Sequence, residues 1–456
     1  MGGSIRRASV TPVKDVRLAG WGLTPHVKTQ VASPLEGEVS GHLLRSQRAI
    51  ARGLGRAYGD SAVCAEGVTL VSSSFDSISQ VIDGRVVVGA GVSLDVLLRE
   101  VIPQGWFVPV TPGTRFVSIG GAIAADIHGK NHHHDGSFGA YVDWIEMILA
   151  DGMTVRTSPS DHSELFWATV GGMGLTGMII RASVRLLPIE TSSIDVLTTR
   201  HRDLDELMEV MTERDKSHRY TVAWVDTLAS GASFGRSVLM AGEHASPAAL
   251  AKRSRTTPLE HDPRVRIGVP QHASVKLVHS GTVRLFNEFW YRRSPRRPKS
   301  SVDSFSQFFY PLDGVRDWNR LYGRLGFVQY QFVVPDHQSE LVRDFIKLMS
   351  TRRIPAFLSV LKRFGSSSSG WMSFPISGWT LAVDIPADSD NLGSLLDDFD
   401  DRVAAAGGRV YLAKDSRLRA SILRSMYPRL DEFQQLRHKI DPRGVFASHQ
   451  SRRLGL

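Results

Sequence analysis

Three glycine-rich segments in the first half of the chain constrain the fold more than any other feature. They are AIARGLGRAYGD at residues 49–60, PGTRFVSIGGAIAADIHGKNHHHDGSF at residues 112–138 and FWATVGGMGLTGMI at residues 166–179. Glycine lets the backbone turn sharply and bring its N–H groups close to a ligand. Because each segment lies at a junction of strand, loop and helix, the three together indicate a bound cofactor more strongly than any one alone.

The first and third of these segments also have a simpler interpretation. Residues 49–60 form either a plain turn or a nest of N–H groups that binds a phosphate. Residues 118–122 suit a helix N-terminus that faces a phosphate. Gly171 and Gly172 suit either a helix C-cap or a close approach of the backbone to a cofactor. The spacing matches neither GxGxxG with a later acidic residue nor a Walker A loop, so a Rossmann domain is not expected.

Polar side chains accompany the second glycine-rich segment. Three consecutive histidines at residues 132–134 raise a metal-binding interpretation, but adjacent side chains rarely converge on one ion. The chain has one cysteine, Cys64, which excludes an intrachain disulfide and a thiolate cluster. We therefore expect no metal. We expect His128 and Lys130 to act in catalysis or on a substrate phosphate, with an orienting hydrogen bond as the alternative for His128.

The composition is that of a globular protein with a positive surface. Hydrophobic residues make up 42% and charged residues 22%, and the net charge is +9. A positive balance favours anionic partners. Basic runs at residues 252–255 and 292–299 are either solvated loops or surfaces that meet a lipid phosphate. Since no aromatic-rich motif accompanies the charge, nucleic-acid binding is not expected.

The sequence contains no apolar stretch of the length that a signal peptide or a membrane anchor requires. Residues 1–30 lack a run of signal-peptide length, and no stretch approaches 18 consecutive apolar residues. We expect neither a signal peptide nor a transmembrane segment. The location stays open between the cytoplasm and the periphery of the membrane or cell envelope.

Short runs of alternating apolar residues predict an α+β fold rather than a regular βαβ repeat. We expect a β-hairpin at the Asp151-Gly152 turn, a helix over residues 203–214 and a long strand over residues 326–334. Residues 230–304 show little periodicity and are expected to be rich in loops.

The pattern of predicted strands and helices changes after Pro188, and this change predicts the domain limits. We expect one domain over residues 1–190 and a second over residues 191–418, with a mobile basic loop around residues 229–300. Residues 419–456 are expected to return to the first domain.

Several segments together resemble the vanillyl-alcohol-oxidase-like superfamily, whose members carry a PCMH-type FAD-binding domain. They are the three glycine-rich segments and KIDPRGVFAS at residues 439–448. GFVQYQFV at residues 326–333 and YLAKDSR at residues 411–417 resemble the branch that oxidises the 2′-hydroxyl of decaprenylphosphoryl-β-D-ribose. The resemblance covers nearly the full length. It implies a two-domain α+β protein in which residues 1–190 are the FAD-binding domain and residues 191–418 are the substrate-binding domain, which contains a large antiparallel sheet.

The resemblance also implies which residues contact FAD. Lys414 would lie at the pyrimidine edge of the flavin, where a cation stabilises the charge of the reduced ring. Members with covalent flavin have a histidine in the first glycine loop, whereas this chain has Arg56, so non-covalent FAD is expected. The implied contacts are Gly53, Leu54, Gly55, Arg56, Ala57, Tyr58, Thr114, Ser118, Ile119, Gly120, Gly121, Ala122, Ile123, His128, Asn131, Ile179, Ala413 and Lys414.

For the substrate, the resemblance implies a second set of contacts and three catalytic residues, His128, Lys414 and Tyr58. The general base is left open: His128 has a suitable intrinsic pKa, and Lys414 and Lys362 are alternatives for holding the oxyanion or the phosphodiester. The implied substrate contacts are Lys130, Trp224, Tyr310, Gln329, Gln331, Lys362, Phe364, Thr380 and Ala382. Two of them depart from the branch, which has cysteine at Ala382 and asparagine at Thr380.

The implied activity is the first half of a 2′-epimerisation that supplies the arabinose donor for actinobacterial cell-wall arabinan. A separate NADH-dependent short-chain reductase would complete it, and a prenyl-phosphate substrate would favour peripheral membrane contact. One alternative is a paralogue that oxidises another sugar, polyol or aldonolactone with FAD. A second alternative, of another class, is a non-enzymatic basic scaffold that binds lipid.

Overall fold

The computed structural model describes residues 11–263, 267–269 and 278–456. Ten strands and five helices precede residue 190. The strands are β1 Lys14–Leu18, β2 Val27–Ala32, β3 Ala49–Arg52, β4 Val68–Val71, β5 Arg85–Gly89, β6 Trp106–Phe107, β7 Val142–Ile148, β8 Thr154–Thr157, β9 Met178–Arg185 and β10 Leu187–Pro188. The helices are α1 Glu36–Arg45, α2 Leu94–Val101, α3 Ile119–Ala124, α4 His132–Asp135 and α5 Ser163–Thr169.

Two four-stranded sheets organise this first part. One has the order β1-β2-β4-β3, with parallel pairing of β4 to both neighbours, and the other is antiparallel with the order β5-β9-β7-β8. The predicted hairpin is confirmed, because β7 and β8 pair in antiparallel register around the Asp151-Gly152 turn. Helix α2 buries Leu94, Leu97, Leu98 and Val101, which is the one-sided pattern of an amphipathic helix.

The described residues after 190 form a larger sheet with helices packed on it. The strands are β11 Ser193–His201, β12 Tyr220–Val225, β13 Ser237–His244, β14 Ile267–Gly268, β15 Lys299–Ser304, β16 Val315–Arg316, β17 Phe327–Val334, β18 Ser359–Phe364, β19 Gly378–Pro386 and β20 Arg409–Val410. The helices are α6 Leu204–Asp215, α7 Ser280–Arg293, α8 Phe305–Phe309, α9 Glu340–Arg352, α10 Leu392–Ala405, α11 Ala420–Met426, α12 Leu430–Ile440 and α13 His449–Leu454.

Eight of these strands form one antiparallel sheet with the order β15-β11-β13-β12-β18-β19-β17-β20. Helices α9 and α10 cover one face, where the rings of Phe345 and Phe399 lie 4.8 Å apart and Phe332 of β17 packs 5.4 Å from Phe345. The predicted α+β fold with a large antiparallel sheet is confirmed. None of the described helices is both long and apolar enough to cross a bilayer.

The structure differs from the sequence-based expectation between residues 230 and 304. This stretch contains two strands of the large sheet and the 14-residue helix α7. Helix α7 escaped prediction because it buries only Val283 and Asn287 among its residues, so it lacks an apolar stripe. The mobility of residues 229–300 stays a prediction, and residues 264–266 and 270–277 lie outside the described residues.

Two elements end for local reasons. Strand β6 contains only Trp106 and Phe107, which pair with Pro188 and Leu187. Helices α11 and α12 are separate because proline at residue 428 cannot continue the first one.

The C-terminal segment contacts the first sheet and the first glycine-rich loop. Phe446 forms a parallel bridge with Ala49 at the start of β3. The guanidinium of Arg453 forms ion pairs with Asp60 at 3.0 Å and Asp415 at 2.8 Å, and both carboxylates are buried. Buried ion pairs are costly to break on one side only, so this link holds the loop and the turn after Lys414 together.

Candidate active site

The first two glycine-rich segments touch because glycine leaves room for the contact. A Cβ atom on Gly53 would lie 1.9 Å from the Oγ of Ser118, so no larger residue fits there without a shift. Ser118 caps α3 by accepting a hydrogen bond from the N–H of Gly121. The loop after β3 and the N-terminus of α3 therefore form one continuous wall.

The third glycine-rich segment packs against α3 from the other side. The N–H of Gly171 donates to the carbonyl of Ile123 at 3.0 Å, and the N–H of Met173 donates to Ala124 at 2.9 Å. All three segments thus border the same cleft. The predicted residues that line it are Gly53, Leu54, Gly55, Arg56, Ala57, Tyr58, Thr114, Ser118, Gly120, Gly121, His128, Ile179, Gln329, Gln331, Lys362, Ala382, Ala413 and Lys414.

The large sheet forms the opposite wall of the cleft, and the alternation of side chains along each strand decides which of them face the cleft. Gln329 and Gln331 of β17 line the cleft. Tyr330 and Phe332, which alternate with them, point to the other face of the sheet and pack under α9. In register, Gln331 pairs with Ala382 of β19, and Ala382 pairs with Val360 of β18. Three strands therefore present one continuous face to the glycine turns.

Nine predicted residues lie outside the cleft lining. Ile119, Ala122 and Ile123 are fully buried in the core under α3. Three others have side-chain partners elsewhere: Asn131 donates to the Pro109 carbonyl, Lys130 to the Phe308 carbonyl, and Tyr310 shares a 2.6 Å hydrogen bond with Thr111. Trp224 pairs with Val360 in the sheet, Phe364 packs 4.7 Å from the His128 ring, and Thr380 donates to the Phe332 carbonyl.

Sequence reasoning missed several residues that belong to the site. Trp21, Met173, Leu358, Val360 and Tyr411 line the cleft. Tyr411 lies in the YLAKDSR segment that carried part of the resemblance, so that segment held a usable signal. The apolar ones carry no chemical signature that distinguishes them from core residues.

Arg56 has the geometry of an anion ligand. Its guanidinium stacks 3.8 Å from the ring centre of Trp21, and its buried Nε has no hydrogen-bond partner among the described residues. Burial lowers the pKa of Arg56, an effect that Asp313 partly opposes. An unpaired guanidinium among glycine N–H groups is well suited to a pyrophosphate.

Lys414 lines the same cleft, and the buried carboxyl of Asp384 behind the lining favours its charge. The Lys414 ammonium lies 4.2 Å from the ring centre of Tyr58, and no acceptor among the described residues is within hydrogen-bonding distance of it. Burial lowers the pKa of Lys414 and raises that of Asp384. Gln329 donates to one oxygen of Asp384 and leaves the other oxygen unpaired. The Lys414 ammonium, which lines the cleft, is therefore available to a ligand.

His128 lies at the centre of a second polar cluster. Its Nδ1 is 3.1 Å from the Lys362 ammonium nitrogen, and its Nε2 is 3.2 Å from the Gln331 side-chain nitrogen. Aromatic rings of Phe364, Phe374 and Tyr411 surround it within 6 Å. Burial, reinforced by Lys362, lowers the pKa of His128 well below its usual range, so the imidazole is neutral.

Two further lysines share this crowded positive environment. Burial lowers the pKa of Lys362 to about 7, with Lys414 and Lys130 adding repulsion. Burial likewise lowers the pKa of Lys130 to about 7. Amines with such pKa values exchange protons near neutral pH and bind anions when charged.

The three consecutive histidines diverge. His132 contacts Ser137, His133 contacts the His218 carbonyl and His134 is an exposed neighbour of Asp135. Across the described residues, no group of three or more metal-ligating side chains is arranged around one point.

Two parts of the chain match known families. Residues 44–158 match the family described as FAD binding domain, and residues 334–454 match D-arabinono-1,4-lactone oxidase. The chain is 39% identical over 455 residues, 98% of each chain, to decaprenylphosphoryl-beta-D-ribose oxidase of Mycolicibacterium smegmatis. It is 39% identical over 372 residues, 80% of this chain and 100% of the relative, to the uncharacterized protein in mprA 5'region of Streptomyces coelicolor. D-lactate dehydrogenase of Archaeoglobus fulgidus is 28% identical over 154 residues, 32% of this chain and 34% of its own.

The cleft between glycine turns and sheet, together with the matched FAD-binding domain, defines an FAD-dependent oxidoreductase. The predicted vanillyl-alcohol-oxidase-like superfamily and the prediction of FAD as the cofactor are thereby confirmed, whereas the non-covalent attachment of FAD stays a prediction. Because the likeness to the Mycolicibacterium protein spans nearly all of both chains, the chain belongs to the decaprenylphosphoryl-β-D-ribose oxidase family.

The residues of the cleft fit FAD. Gly53, Gly55, Gly120 and Gly121 line the cleft, so the backbone there can approach a pyrophosphate beside the unpaired Nε of Arg56. Lys414 offers an unpaired cation in the same cleft, as the electron-rich edge of a flavin requires.

Lys362→Met tests the burial of the lysine cluster. The pKa of Lys362 is about 7 in the folded protein but near its ordinary ~10.5 in the unfolded chain. At a pH between these two values, Lys362 is therefore protonated in the unfolded chain and neutral in the folded protein. Stability of the wild type therefore rises with pH across this window, by up to about 1.4 kcal/mol per pH unit from this group. Relative to Lys362→Met, the wild type is expected to gain about 2 kcal/mol between pH 7.5 and 9.5.

The measurement is urea unfolding at both pH values with equal excess FAD. Lys347→Met, which removes an exposed lysine of α9, is the matched control and should track the wild type. A constant difference between wild type and Lys362→Met at the two pH values would contradict the assigned burial.

Proposed function

We propose that this chain oxidises the 2′-hydroxyl of decaprenylphosphoryl-β-D-ribose to the 2′-keto sugar. The single observation that carries the proposal is the cluster of His128, Lys362 and Gln331 on the sheet wall of a cleft fit for FAD. Support comes from the Mycolicibacterium relative, whose name states this substrate. FAD supplies the acceptor for the hydride that leaves the alcohol carbon.

Side chains of the cleft have separate roles in proton uptake, hydrogen bonding and charge stabilisation. His128 and Lys362 are neutral or readily neutral near pH 7, so they can take up the proton that the hydroxyl loses. Tyr58 has a pKa raised well above its usual range by burial, so it stays protonated and donates a hydrogen bond rather than acting as a base. Lys414 remains the cation that holds negative charge.

Residues of the cleft also indicate what holds the substrate phosphate and how FAD is attached. Lys362, when protonated, is a cation of the cleft lining that is available for a phosphodiester near the sugar, whereas Lys130 lies behind the lining and acts on Lys362 through its charge. Non-covalent FAD is favoured because Arg56 lies in the first glycine loop, where covalent members have histidine.

Completion of an epimerisation needs a second enzyme. The 2′-keto product carries a carbonyl that only a reduction can return to an alcohol of opposite configuration. We assign that step to an NADH-dependent short-chain reductase acting after this protein, in the route to the arabinose donor of cell-wall arabinan. Incubating both enzymes with NADH should yield the arabinose epimer, and recovery of ribose alone would exclude the partnership.

A second candidate function is oxidation of an aldonolactone. The observation in its favour is the match of residues 334–454 to D-arabinono-1,4-lactone oxidase, which includes the Lys414 turn. Ala382 and Thr380, which depart from the prenylphosphoryl-ribose branch, allow a different substrate at the sheet wall.

Anaerobic reduction separates these candidates. Adding decaprenylphosphoryl-β-D-ribose to the oxidised holoenzyme is expected to bleach the flavin absorbance in proportion to the substrate, because the hydride has no other acceptor. The 2′-deoxy analogue, which lacks the reacting hydroxyl, is the control and should leave the flavin oxidised. Acid precipitation of the same sample should release the flavin into the supernatant.

An oxidised spectrum with the prenylphosphoryl ribose, together with bleaching by D-arabinono-1,4-lactone, would replace the first proposal by the second. Flavin that stays with the precipitate would contradict non-covalent binding.

Peripheral contact with an anionic membrane surface is favoured by helix α7. Its exposed side chains include Leu285 at 73% and Phe289 at 57% exposure, next to the exposed Arg292 and Arg293. Apolar residues flanked by basic ones are typical of helices that lie in a lipid interface. Val283 on its buried side shares a hydrophobic cluster with Trp318, which lines the cleft. A prenyl tail could thus stay in lipid while the sugar enters the cleft.

Neutralising Arg292, Arg293, Arg296 and Arg297 to glutamine tests this contact. Co-sedimentation with phosphatidylglycerol liposomes is expected to fall at least tenfold, since each basic residue near the surface contributes about 1 kcal/mol. The matched control replaces four other exposed basic residues, namely Lys14, Arg17, Lys28 and Lys439. Equal losses in both variants would show that only net charge matters and would discard α7 as the contact.

A further inference from the structure

A buried hydrogen-bond chain links the backbone of β17 to His128 and Lys362. The Thr380 hydroxyl donates to the Phe332 carbonyl at 2.8 Å, and the Gln331 side-chain nitrogen donates to the Thr380 oxygen at 3.1 Å. The same nitrogen lies 3.2 Å from Nε2 of His128, whose Nδ1 lies 3.1 Å from the Lys362 nitrogen.

The direction of this chain follows from its first member. A carbonyl only accepts, so the single hydroxyl proton of Thr380 is committed to Phe332. Towards Gln331, Thr380 therefore presents a lone pair alone. The amide of Gln331 must meet it with its NH₂ group, because its carbonyl oxygen would face another acceptor.

The amide orientation then decides the state of the imidazole. The second proton on the Gln331 nitrogen points at Nε2 of His128, which must carry a lone pair. A neutral imidazole has one N–H, so its proton lies on Nδ1, facing Lys362. An amine accepts from that N–H only when it is itself neutral.

The electrostatic surroundings agree with this state. The titratable groups that face the pair are Lys414 beyond β20, Lys130 before α4 and His132 on α4, and burial lowers the pKa of His132 to about 3, which leaves that imidazole neutral. Burial, reinforced by Lys414 and Lys130, disfavours a further positive charge and lowers the pKa of Lys362 to about 7.

We propose that Thr380 is a positioning residue that, through Gln331, fixes His128 as the Nδ1–H tautomer and thereby holds Lys362 as a neutral amine. This deepens the proposed function, since a neutral pair can accept the one proton that alcohol oxidation releases. The alternative arrangement, charged Lys362 with Nε2–H on His128, sets two N–H groups against each other at Gln331.

The test reads the tautomer directly and needs no substrate. Holoenzyme labelled with ¹⁵N in its histidines is studied by two-bond ¹H–¹⁵N correlation at pH 8, and the His128 signals are assigned from their loss in His128→Asn. The wild type is expected to show a protonated Nδ1 and an unprotonated Nε2. An Nε2–H tautomer or an imidazolium in the wild type would overturn the proposal without any variant.

Two variants at one position isolate the role of the hydroxyl. Thr380→Val keeps the shape but removes the lone pair, so Gln331 is free to turn and both tautomers of His128 should become comparably populated. Thr380→Ser restores the hydroxyl and should restore the Nδ1–H pattern. Flavin absorbance and the melting temperature check that each variant is folded.

A Thr380→Val spectrum identical to that of the wild type, in a folded protein, would also overturn the proposal. The outcome is independent of which sugar is oxidised: a wrong substrate would fail the bleaching experiment yet leave the tautomer unchanged.

Discussion

The contact between the first glycine-rich loop and the turn after β20 is the interaction on which the site depends. The N–H of Tyr58 donates to the Ala413 carbonyl at 3.0 Å, and a Cβ atom on Gly59 would lie 1.7 Å from the Asp415 carbonyl oxygen. Residues some 350 positions apart are thus joined backbone to backbone. This contact brings Lys414 over the ring of Tyr58 and closes one end of the cleft, while Arg453 ties the same loop and turn together through Asp60 and Asp415.

Burial of positive charge is the second organising constraint. Lys130, Lys362 and Lys414 lie in the interior with few acidic partners, and such burial is unfavourable in the absence of ligand. Anionic groups that bind there offset this unfavourable free energy, so the cleft favours a negatively charged cofactor and an anionic substrate. The same desolvation keeps His128 neutral, and it therefore links the binding of anions to the capacity to accept a proton.

Elements that leave a pattern within one short segment of the sequence could be predicted. The strand expected over residues 326–334 is β17, and the helix expected over residues 203–214 is α6. The glycine motifs indicated the cofactor wall, and the resemblance named its partners. The Asp384–Lys414 pair could not be found this way, because it arises from the register of β19 against β17 and from a turn that follows β20. Helix α7 lacked a buried stripe, and so its exposed apolar residues left no periodic signal.

The most direct test of the account is the midpoint potential of the bound FAD in the wild type and in Lys414→Met. A cation beside the pyrimidine edge stabilises the negative charge gained on reduction, so its removal is expected to make the potential more negative. Lys439→Met, which removes an exposed lysine of α12, should leave the potential unchanged. A potential that is the same in Lys414→Met and in the wild type would mean that the flavin ring does not lie beside Lys414, and the assignment of the cleft would fail.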